Sequence, residues 1–88
     1  MRIRTKDADE AAFFWVQQGV ELSGTELEEL WHHRKVLWFV FEAAGWDQPR
    51  LDAVRNDWMN GKTLVEPRAY AARRAEIKHM IRHEVFGK

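Results

Sequence analysis

The sequence predicts an all-α fold, a compact bundle of four short helices around a central, mostly buried second helix. Three observations predict it. Apolar residues recur at spacings of three and four from Leu27 to Phe41. Capping residues precede the periodic stretches, and glycines follow them. The two prolines, Pro49 and Pro67, fall where helices should begin.

Residues 1–6 offer no cap and read as an extended N-terminal arm. Asp7 with Glu10 matches a capping box. Ala8, Ala11, Ala12 and Trp15 then share one face and Gly19 is a stop, which predicts a first helix over about residues 7–18. Phe13 and Phe14 lie off that face, so this helix is apolar on more than one side.

Ser23 with Glu26, or Thr25 with Glu28, opens the second helix, expected over about residues 25–44. Its stripe is Leu27, Leu30, Trp31, Arg34, Leu37, Trp38 and Phe41, and Gly45 closes it. Val36, Phe39, Val40 and Ala43 occupy the opposite side. A helix apolar all round is surrounded, which makes this one the expected centre of the domain.

Asp47 and Pro49 start a third helix over about residues 48–60, with Leu51, Val54 and Trp58 on one face and Gly61 as its end. Lys62 to Glu66 is a connection. Pro67 begins the fourth helix, striped by Tyr70, Ile77, Ile81 and Val85 and ended by Gly87. With no repeat, low-complexity tract or linker, residues 1–88 read as one helical domain.

Fourteen Lys and Arg balance fourteen Asp and Glu. That zero net charge argues against capture of nucleic acid or anionic membrane by bulk charge. An apolar fraction of 45% with 32% charged residues suits a folded domain. The longest apolar run, Val36 to Phe41, is far too short to span a bilayer, and no secretory leader is visible, so the chain reads as cytoplasmic with no membrane partner.

Catalysis finds little support, and the chain reads as a non-enzyme. The absence of cysteine removes thiolate nucleophiles and thiolate metal sites. The only serine, Ser23, is accounted for as a helix cap. Gly61, Lys62 and Thr63 echo the end of a phosphate-binding loop, but Asn56 stands where the upstream glycine belongs. Glu29 with His32, and Glu76 with His79, have the Glu-x-x-His spacing used by di-iron bundles, with Glu10 and Asp52 or Asp57 available as further carboxylates. Both pairs lie opposite the apolar stripes, so they do not converge. His79 and His83, at i and i+4, suit a surface metal ion and imply no function. No metal site or cofactor is assigned.

Charge is segregated although its sum is zero. Asp7, Asp9, Glu10, Glu21, Glu26, Glu28 and Glu29 fill residues 7–29 without one Lys or Arg. Lys62, Arg68, Arg73, Arg74, Lys78, Arg82 and Lys88 dominate residues 61–88. Internal pairing of the two thirds is the expected use.

Five Trp and five Phe in 88 residues are a heavy load for four short helices. Such rings bury about 150–250 Å² each, and they are enriched at interface centres. Phe13, Phe14, Phe39 and Trp46 are therefore the expected partner-binding residues. The function expected is a small protein–protein interaction module, an adaptor, inhibitor or assembly factor, that also self-associates. The alternative is nucleic-acid binding through Arg68, Arg73, Lys78 and Arg82 of the last helix. A metal-binding bundle is a distant third.

Overall fold

The structure is a computed structural model that describes residues 1–87. It overturns the all-α expectation: a three-stranded antiparallel sheet is combined with three helices. The elements in chain order are β1 (Arg2–Thr5), α1 (Ala8–Trp15), β2 (Val20–Glu29), β3 (Lys35–Ala43), α2 (Gln48–Met59) and α3 (Pro67–Phe86). A tight turn, Trp31–His33, joins β2 to β3.

The expected central helix over residues 25–44 is a β-hairpin. Its apolar residues do repeat at three and four, but in β3 they also alternate. Leu37, Phe39, Phe41 and Ala43 point to one face, and all four are buried. Val36, Trp38, Val40 and Glu42 point to the other. Val, Phe and Trp pack well on a pleated surface, and β3 is the middle strand of the order β1-β3-β2. An apolar pattern on both sides is what a central strand produces.

In β2 the alternation changes phase. Val20 pairs with Ala43 and Leu22 with Phe41, whereas Thr25 pairs with Phe39 and Leu27 with Leu37. A bulge between Leu22 and Gly24 absorbs the extra residue and returns the apolar side chains to the inner face. Ser23, expected to cap a helix, stands in that bulge. Residues 2–5, expected as an arm, pair with β3 from Arg2 opposite Glu42 to Thr5 opposite Phe39. Ile3 and Thr5 are thereby buried on the inner face.

The three helices stand where caps and prolines placed them. Asp7 accepts hydrogen bonds from the N–H groups of Asp9 and Glu10 and so starts α1. Asp47 accepts from the N–H of Arg50, and Pro49 occupies the first turn of α2. Glu66 accepts from the N–H of Ala69 ahead of α3. Each bond satisfies a donor that a helix start leaves free.

The surrounded helix is α1, not the second element. Ala11, Ala12, Phe13 and Phe14 are all buried. The Phe13 ring stacks on Trp58 of α2 at 4.7 Å between centres, and the Phe14 ring meets Trp46 edge-on at 6.3 Å. α3 packs along α1 and crosses β3, with Ile77 fully buried at the crossing. The core thus joins α1, the inner sheet face and single residues of α2 and α3. Among the described residues, no helix is long and apolar enough to cross a membrane.

Candidate functional site

The four rings expected to face a partner lie inside the domain. Phe13, Phe14 and Phe39 are at most 2% exposed, and Trp46 is 7% exposed with Arg50 covering its ring at 4.4 Å. A core assembled from a sheet and helices has room for these aromatics that four short helices lack. In this chain they offer a partner no surface.

Exposed apolar side chains stand on the hairpin, at Leu27, Leu30 and Trp31, and separately at Met59, Leu64 and Phe86. β2 and β3 run on as a two-stranded hairpin beyond the end of β1, which pairs only with residues 39–42. Leu30 N–H donates to the Arg34 carbonyl at 2.6 Å and closes the hairpin around Trp31, His32 and His33. Trp31 is 84% exposed. Leu27 and Leu30 of the same hairpin are also exposed. His32 and His33 both adopt left-handed backbone conformations, φ 58° and 62°. Two consecutive non-glycine residues there cost on the order of 1–3 kcal/mol each. The tip therefore presents a large aromatic from a strained turn.

Behind the tip, the end of α3 approaches the hairpin. His33, Arg34 and Lys35 face Val85 and Phe86 across a cleft of about 590 Å³. Farther back, Trp15, Leu22, Ala75, Glu76, His79 and Met80 line an open, mainly apolar groove of about 510 Å³ between β2 and α3. The outer long edge of β2 bounds this groove, and β2 has a strand on one side only.

Charge pairing accounts for part of the segregation seen in the sequence. Arg74 of α3 binds Asp9 of α1, and Arg55 of α2 binds Glu10 at 2.9 Å. Asp9 holds the Arg74 guanidinium above its ordinary pKa, first through the hydrogen bond and then through its charge. On the outer sheet face, Arg4 binds Glu26 at 2.7 Å and lies over Trp38 at 4.2 Å, while Trp38 Nε1 donates to Glu28 at 3.4 Å. Among the described residues, no Lys or Arg forms an ion pair with Glu21, Glu28 or Glu29 of β2. Only the His33 ring approaches Glu29, at 3.6 Å.

The basic set of the last helix is divided. Arg73 binds Glu76 and lies over Trp15 at 4.1 Å, which takes it out of a free basic row. Arg68, Lys78 and Arg82 are exposed. Of the two Glu-x-x-His pairs, Glu29 and His32 fall in the hairpin rather than on a helix. The rings of His79 and His83 lie parallel on α3, 6.4 Å apart. Among the described residues, no three His, Asp or Glu come together in a way that would hold a metal ion.

Sequence reasoning missed Trp31, Leu30 and the β2 edge because it placed them within a helix. The signal was present in Val20-Glu21-Leu22 and Thr25-Glu26-Leu27-Glu28, two alternating segments of opposite phase. No protein-family model, curated protein or solved structure matches this chain.

Proposed function

We propose that this chain is a small protein-binding module that meets its partner through the β2–β3 hairpin, with Trp31 as the anchor. The observation that carries this reading is an 84% exposed Trp held out on a turn with two strained histidines. An isolated exposed side chain needs no explanation, but the same hairpin also exposes Leu27 and Leu30. Tryptophan leads the residues that dominate binding energy at interfaces. The positive φ at His32 and His33 is what a tight hairpin reversal requires, so the strain belongs to the turn, and the turn holds Trp31 out at the tip. A cytoplasmic setting belongs to the same proposal.

The test is capture from a native lysate by the intact chain and by Trp31→Ala, each with and without nuclease. The reading expects a discrete protein retained by the unmodified chain, insensitive to nuclease and lost with Trp31→Ala. Leu64→Ala, at a 99% exposed connection residue, should leave capture unchanged. Binding that nuclease abolishes would instead favour the exposed Arg68, Lys78 and Arg82.

A further inference from the structure

We propose that the free edge of β2 accepts an extended segment of the partner as a fourth strand, and that this segment alternates basic and apolar residues. The inference rests on the protein-binding reading above and names the chemistry of what is bound. β2 is an edge strand of ten residues, so the backbone groups along its outer side are unclaimed by the sheet. An added strand gains main-chain hydrogen bonds from such an edge and specificity from its alternate side chains.

The two faces beside this edge differ in chemistry. On the inner side lies the groove of Trp15, Leu22, Ala75 and Met80, with Leu27 farther along the strand. Alternate side chains of an added strand would enter it, and the groove favours apolar ones. On the outer side stand Glu21, Glu26 and Glu28, of which only Glu26 has a cationic partner among the described residues. Intervening side chains of the added strand would lie next to these carboxylates, where opposite charges stabilise cross-strand neighbours. The bulge at Ser23 divides the edge into Val20 to Leu22, where Leu22 lines the groove, and the longer stretch Gly24 to Glu29, and the added strand is expected to run along both.

A second copy of β2 is the poorer occupant. Two-fold antiparallel pairing about Gly24 and Thr25 sets Glu21 against Glu28 and brings further carboxylates together. The charge pattern of β2 thus acts against self-pairing and selects a basic strand.

The test uses blocked peptides of about eight residues, one alternating Lys and Val, one alternating Glu and Val, and one with the Lys and Val in separate blocks. Fluorescence anisotropy with the full chain should show the Lys/Val alternation binding at least about tenfold tighter than either control. Amide exchange should slow along Gly24 to Glu29 on binding. Glu21→Lys with Glu28→Lys, confirmed folded by circular dichroism, should reverse the preference toward the Glu/Val peptide. Equal affinity for the peptides, protection confined to α3, or an unchanged preference in the double variant would overturn the proposal. So would a homodimer whose β2 amides are already protected without peptide. Failure of the peptides while Trp31-dependent protein capture persists discards this inference alone; failure of both discards the protein-binding reading as well.

Discussion

Arg74 Nε on α3 donates to Asp9 Oδ1 on α1 at 2.5 Å, and this contact ties the last helix of the chain to the first. Both side chains are about half exposed, so water screens the pair. Asp9→Asn should cost no more than about 1 kcal/mol in urea denaturation, and the double-mutant coupling with Arg74→Ala should fall within the same limit. A larger coupling would mean that the pair is effectively desolvated and holds α1 against α3 by itself.

The aromatic core makes a stronger demand. Phe13→Ala and Phe14→Ala should each lose about 3–5 kcal/mol, because each empties a fully packed site. Leu37→Ala should lose about 2–5 kcal/mol, since the side chain is 4% exposed on the inner face of β3. Trp31→Ala should stay within about 0.5 kcal/mol of the unmodified chain, as exposed substitutions do. Denaturant midpoints for these variants separate core rings from surface rings. A mild Phe14→Ala would point to a ring on the surface.

The strained hairpin turn permits an opposite effect. His32→Gly and His33→Gly should hold or raise the melting temperature, because glycine adopts positive φ freely and partly offsets its own entropy cost. Gly19→Ala should lower stability by about 1 kcal/mol or more, and the melting temperature with it, since φ is 81° and an added Cβ would sit 3.2 Å from the Ala44 carbonyl oxygen. Thermal melts of the three variants check both signs.

Much of the helical framework was legible in the sequence. Asp7, Asp47 with Pro49, and Pro67 each mark a helix start that the structure contains, because caps and prolines act locally. The hairpin was not legible as a hairpin. Leu27, Leu30, Leu37 and Phe41 satisfy a helical spacing by coincidence, while the bulge after Leu22 breaks the strand alternation that would have competed with it. The turn also lacks the usual glycine or asparagine, since Trp31, His32 and His33 reverse the chain at a cost in strain. The same misassignment moved the expected partner residues. Phe39 became a candidate because its helix looked overfilled, whereas in a strand it simply faces the core.

Tyr70 supplies the pH dependence. Burial, and after it the nearby Asp9 carboxylate, raise the phenol above its ordinary pKa. A neutral phenol is therefore favoured in the folded chain. Its contribution is complete below the unfolded value and is lost as pH rises through the folded one, so stability should fall more steeply above about pH 10. Tyr70→Phe should flatten that fall relative to the unmodified chain in pH-dependent denaturation. An unchanged slope would place the phenol in water.

Photo-crosslinking from single positions tests the central claim most directly. A benzophenone amino acid replaces Arg34, exposed beside Trp31 at the hairpin tip, Leu64 in the exposed connection, or Lys78 on α3, and each protein is irradiated in native lysate. The hairpin account predicts a discrete protein adduct from position 34, resistant to nuclease, and none of that mass from position 64. Silence at position 34 together with nucleic-acid adducts from position 78 would contradict it and move the site to the last helix.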